Sequence, residues 1–405
     1  MKTNNIFIWI YVLLLSAMIA IGRVYDERLD FFGVNFALIL SSIYVFVSLF
    51  FIGSIRMIKL TKSKALLYLF YFLIIASTPL FWLVYDVIEY GYLKYLNFCL
   101  IAILMSVIII ERFDYSKVNK LLISLLAVSL FLAVLAVLGQ EISENNDSGR
   151  LSVLGGGPII FSRWMGLGIL ILSLMPQFRN YKIRYFFIVL FFILSLASGS
   201  RGPVLALVLV CCLFLVINFK RYFLRFFVIV SLLVGFVTLT GISKEVEKLG
   251  RVERILMNFS SGGIVKKSTG TRTQLMHGAV TVFKKYPFGV GAGNWQGKAN
   301  EIEPHNLMPL EYSHNIFLEV LNEYGVFVFI VLILLFIYVF HFSYKLMCKY
   351  YDNESSLYTL LFYMLVYLFL NSQISGDIND TRMLFVIVSF ILIKTPLIDK
   401  TQKLC

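Results

Sequence analysis

Long apolar runs alternate with short polar breaks along most of this chain. A run of about 20 apolar residues crosses a bilayer as a helix. Runs near that length lie at 6–22, 34–54, 65–85, 93–110, 119–139, 158–176, 183–198, 202–218, 222–241, 314–341, 356–372 and 382–396. The pattern predicts an all-α polytopic membrane protein of about twelve transmembrane helices. The runs 183–198, 202–218 and 382–396 are short, and only a tight turn separates the first two.

One stretch breaks this rhythm, from about Ile242 to Ser313. Within it, "TRTQLMHGAVTVFKKY" (271–286) sets Leu275, Ala279, Val282 and Phe283 on one helical face, which predicts an amphipathic helix near the membrane surface. "PFGVGAGNW" (287–295) then turns the chain; it lacks the Lys-Ser/Thr of a phosphate-binding P-loop and reads as a plain turn. Three parts follow: nine helices in 1–241, a large loop in 242–313, and three helices with a short tail in 314–405. The chain shows no internal repeat.

Composition agrees with this reading. Of 405 residues, 59% are hydrophobic and 15% charged, with a mean hydropathy of +0.84, far from the roughly 25% charge of a soluble domain. The net charge of +13 would point to nucleic acid in a soluble protein. Here cytoplasmic loops account for it, and the partner is the lipid bilayer rather than nucleic acid. With the N-terminus inside, the short inner segments hold 19 Lys and Arg, the short outer segments 7, and the long loop the other ten. Both termini are therefore expected to be cytoplasmic and the 242–313 loop outside, on the periplasmic face. The first run, thinly flanked by Lys2, reads as a span rather than a cleaved signal. Five scattered cysteines show no metal-ligand spacing and no disulfide framework, so neither metal nor cofactor is expected.

On that topology several polar residues gather at the outer side. "SGSRGP" (198–203) makes a sharp turn and holds Arg201 at the boundary, either snorkelling to lipid phosphate or forming an anion site beside a helix start. Arg272 falls in the expected first turn of the loop helix, capped by Thr269 or Thr271, where a cation opposes the helix dipole unless an anion is near. Ser313 reads as the N-cap of the 314–341 helix. His314 then sits in the first turn, where the dipole favours a neutral ring able to accept a proton. Asn315, Glu319 and Glu323 project from one face, which must meet protein or water rather than lipid. "SGDINDTR" (375–382) adds Asp377, Asp380 and Arg382 at the mouth of the last span, and Arg150 and Arg163 bracket "LGGGP". Asp380 and Arg382 either pair or edge the same cavity.

Three of these stretches occur in a telling order: "SGSRGP", then Arg272 followed by "YPFGVGAGNW", then "SHNIFLEVLNEYGVFVFI". In that order they resemble the O-antigen ligase and polymerase family of bacterial membrane proteins (the Wzy/WaaL type), over roughly Arg150 to the C-terminus. His277 departs from the family, where many members carry tryptophan, and no role is placed on it. The resemblance implies a GT-C-type fold in the inner membrane. It further implies a metal-independent glycosyl transfer on the outer face, from an undecaprenyl-pyrophosphate-linked oligosaccharide to an acceptor glycan. By the same resemblance Arg201 and Arg272 hold the pyrophosphate and His314 activates the acceptor. Arg150, Arg163, Asn315, Glu319, Glu323, Asp377 and Arg382 stand as supporting residues.

The expected function is a polysaccharide polymerase working beside a chain-length regulator or flippase. The alternatives are a ligase acting on lipid A-core or protein, and a lipid-linked glycan transporter. A transporter should show two matching halves and midplane polar residues, and the sequence shows neither.

Overall fold

The computed structural model describes residues 5–26, 29–31, 33–53, 61–85, 89–138, 151, 153, 157–178, 181–218, 262–303, 307–308, 311–350 and 357–393. Helix α1 is Asn5–Ile21. A two-residue ladder, β1 (Asp30–Phe31) with β2 (Val34–Asn35), is a minor exception to the all-α expectation. Next come α2 (Phe36–Gly53), α3 (Lys62–Val84), α4 (Glu89–Asn97), a π-helical stretch (Phe98–Ile103), α5 (Leu104–Arg112), α6 (Tyr115–Val137), α7 (Gly157–Leu174), α8 (Ile183–Ala197) and α9 (Arg201–Ile217). Then follow α10 (Gly262–Lys285), α11 (Trp295–Ile302), α12 (Ile316–Lys349), α13 (Leu357–Ile374) and α14 (Arg382–Ile391).

Seven helical stretches among the described residues are long and apolar enough to cross a membrane, and four more apolar helices are shorter. This is a multi-pass membrane protein. The predicted run at 222–241 lies outside the described residues, so the count of twelve rests on the sequence alone. Phe46, Phe50, Leu83 and Val84 stay exposed, as lipid-facing side chains do, while α14 is buried all round. At the centre Phe385 of α14 meets Phe70, Tyr71 and Phe98, with ring centroids 5.5–6.0 Å apart. The π-helical stretch passes beside this cluster, and Tyr44 donates to the Leu100 carbonyl at 3.0 Å.

Cross-links gather the candidate residues at one end of the bundle. Arg382 reaches Ile19 and Ala20 in the last turn of α1, and Arg163 reaches Ser375 just after α13. Asn315, before α12, meets Gln373 near the end of α13. These are ends of helices running alternately up and down, so they share one side. Lys64 and Glu111 pair at 2.7 Å where α3 starts and α5 ends, which is the opposite side.

The loop helix has a protein partner for its apolar face: Leu275, Ala279 and Val282 of α10 are buried with Val290, Trp295, Ala299 and Leu307. Leu318 of α12 packs against the same cluster. Helix α10 also begins at Gly262, so Arg272 stands in its interior and the first-turn dipole argument does not apply.

Candidate active site

The start of α12 differs from the sequence reading in a way that matters for His314. Asn315, not Ser313, is the N-cap: its Oδ1 accepts from the N–H groups of Phe317 (2.9 Å) and Leu318 (3.1 Å). Its Nδ2 donates to Gln373 Oε1 at 3.1 Å, so Asn315 does not share a stripe with the glutamates. His314 therefore precedes the helix, with a left-handed backbone (φ 56°). Its ring packs on Tyr312 at 4.4 Å between centroids, and its Nδ1 is buried without a hydrogen-bond partner. A neutral ring was expected from the helix dipole. Burial, then the charges of Arg272 and Arg163, hold its pKa down at about 4.

The two arginines act on His314 through their charge, from separate elements. Leu275, one turn beyond Arg272, shares an apolar cluster with Leu318, one turn into α12, and this brings the Arg272 side of α10 to His314. Arg163 is buried in α7 and donates through Nη2 to the Ser375 carbonyl, while its Nε has no partner. Tyr312 also hydrogen-bonds Ser375, which joins the His314 segment to Arg163. A β-carbon at Gly376 would stand 3.0 Å from Arg163 Nη2 and 3.1 Å from Asp380 Oδ2, so those two side chains close over that glycine.

Glu319 and Glu323 have a partner that the sequence reading overlooked. Lys94 of α4, fully buried, inserts between them: its Nζ contacts Glu319 Oε1 and lies 2.6 Å from Glu323 Oε1. Glu323 Oε1 also accepts the Gly293 N–H at 2.9 Å. The neighbouring backbone is zipped together. Val290 N–H donates to Asn322 O, Gly291 N–H to Glu323 O, and Val326 N–H to Pro287 O, each at 2.9 Å. Helix α12 breaks at Gly325 (φ 83°), which frees the groups that meet the glycine loop. "GVGAG" is thus more than a plain turn, since its N–H groups at Val290, Gly291 and Gly293 serve α12.

Two residues are engaged structurally. Arg382 donates from Nε to Ile19 O (2.6 Å), from Nη1 to Asn379 O (3.0 Å) and from Nη2 to Ala20 O (3.2 Å). It caps the C-terminal end of α1, and Asp380 is a more distant neighbour at 3.8 Å. Asp377 Oδ1 accepts the Asp380 N–H at 2.8 Å, and Asn379 donates to the Lys94 carbonyl at 3.1 Å, tying this turn to α4. Arg201 opens α9, exposed; its neighbour Gly202 packs on Ile374, directly before Ser375. Arg150 lies outside the described residues.

Residues 186–333 match the family model for O-antigen ligase. The match supports the O-antigen ligase/polymerase family, whose members are membrane enzymes of glycan transfer. No curated protein matches the chain significantly. The O-antigen ligase match takes in Arg201, Arg272, His314, Glu319 and Glu323. Lys94, Arg163, Asp377 and Arg382 stand outside it, brought alongside by the fold. Lys94 was discoverable in principle: one lysine and two glutamates within apolar runs each demand a partner.

Proposed function

We propose that this protein transfers a glycan from undecaprenyl pyrophosphate to a sugar hydroxyl, with His314 as base and arginines as the anion site. The observation that carries this reading is the setting of His314. It is a half-buried, neutral imidazole with an unpartnered nitrogen, held neutral by burial and by the charges of Arg272 and Arg163 on different helices. The acceptor oxygen attacks the anomeric carbon as its proton passes to His314. The bond from that carbon to the phosphate oxygen breaks, and its electron pair leaves with the pyrophosphate. Arg272, Arg163 and Arg201 oppose the developing charge by charge-assisted contacts. Attack opposite the leaving group inverts the anomeric centre. The site faces the periplasm in this reading, as the charge pattern of the loops predicts.

The acceptor we propose is a second lipid-linked repeat unit, which makes the enzyme a polymerase. The matching family's description as O-antigen ligase favours a second reading, transfer to lipid A-core or protein. Replacing Arg201, Arg272 or His314 by alanine in the native host should shorten or abolish the surface glycan. Unchanged glycan in all three variants overturns the reading. In a deletion strain, single repeats on the acceptor mark a lost polymerase, and long chains left on undecaprenyl pyrophosphate mark a lost ligase.

A further inference from the structure

Among the described residues, Lys94, Glu319 and Glu323 form the most deeply buried charge cluster away from the arginines, with side chains at most 1% exposed. Apolar side chains of similar size usually serve stability as well as a buried ion pair does, so stability alone is a weak reason for such a cluster. Its connections say more. Lys94 stands at the end of α4 just before the π-helical stretch, and its carbonyl accepts from Asn379. Glu323 joins that ammonium to the Gly293 N–H through one oxygen. Gly293 closes the loop leaving α10, the helix of Arg272, and Glu319 lies one turn beyond the cap that follows His314.

We propose that Lys94 is a positioning residue for the transfer, clamping Glu319 and Glu323 so that the glycine loop and α12 hold Arg272 against His314. The inference rests on the proposed function of those two residues. Displacement of reacting groups by about 1 Å costs up to about 100-fold in rate, so a loosened clamp should be visible in turnover.

The experiment compares Glu323→Asp with the uncharged triple variant Lys94→Met/Glu319→Gln/Glu323→Gln, purified in detergent. Folded yield is followed by size-exclusion chromatography, and turnover is measured per folded molecule. Glu323→Asp keeps the charge balance and shortens one arm; the triple variant leaves no unpaired buried charge. Both should lose at least about tenfold in kcat. The acid limb of kcat/KM should also move upward, because His314 is held neutral by burial and by Arg272 and Arg163, with Tyr312 against its ring and Asp380 near Tyr312. A structural cluster would lower only the folded yield. Wild-type turnover and an unmoved acid limb in Glu323→Asp overturn the proposal, whether or not the triple variant folds. Arg272→Ala and His314→Ala are the controls. If they lose transfer while the clamp variants keep it, only this inference falls. If the controls themselves keep wild-type transfer, the proposed function falls first.

Discussion

Gly289 and Gly325 meet backbone to backbone: a β-carbon on Gly289 would stand 2.8 Å from the Gly325 nitrogen and 2.9 Å from the Glu323 carbonyl oxygen. Both residues have positive φ, 96° and 83°. Since backbone has no rotamer to yield, the contact leaves no room for a side chain. Gly289→Ala should therefore cost about 2 kcal/mol or more, combining left-handed strain with the clash. A thermal melt in detergent checks this, and an unchanged melting temperature would refute it.

His314 sets a pH dependence. Its folded pKa of about 4 lies below the ordinary 6.5, so the unfolded chain binds more protons between those values. The contribution of this residue to stability is complete above about pH 6.5 and declines as pH falls toward 4. On the proposed function, the base is unprotonated in the free enzyme down to about pH 4, which places the acid limb of kcat/KM there. If the donor pyrophosphate sits against Arg272 and Arg163 as proposed, it offsets their charges, and the acid limb of kcat should lie higher. Coincident limbs in the two profiles would contradict an arginine-held donor.

Loss of the proposed base has a sharper signature. His314→Ala should lower turnover by about 100- to 10,000-fold with little effect on folded yield. Arg163→Ala should lower turnover by about 100- to 1,000-fold, although this residue lies outside the family match. In-vitro transfer from a lipid-pyrophosphate donor measures both.

Arg382 predicts the opposite division. Its three nitrogens serve the Ile19, Asn379 and Ala20 carbonyls; Asn379 keeps the Arg382 backbone N–H, so removing the side chain takes the buried donor from Ile19 and the part-buried one from Ala20, at a cost of about 1–3 kcal/mol. Arg382→Ala should melt earlier while keeping near wild-type turnover per folded molecule. A selective loss of turnover at unchanged stability would give Arg382 a direct part in the reaction.

Local pattern carried much of the reading. The spans follow from apolar runs because lipid forces each segment to satisfy its own backbone. The tight turn at "SGSRGP" follows from glycine, with Gly199 at φ 63°. Cap assignment failed by two residues at Ser313 because serine and asparagine both suit that position. Packing against Gln373 selects Asn315. The face of α10 was legible as apolar, but its partner was not, since lipid and Trp295 reward the same periodicity.

By itself the sequence determined that the chain is a helical membrane protein, and it ordered the motifs that carry Arg201, Arg272 and His314. Periodicity and turn chemistry act over a few residues, so a single chain displays them directly. The tertiary structure alone decided that Lys94 answers Glu323 across 229 residues, that Arg163 reaches Ser375, and that Arg382 serves α1. Those pairings depend on which helices pack together. Burial makes them matter, because a charge taken out of water needs a partner wherever the fold supplies one.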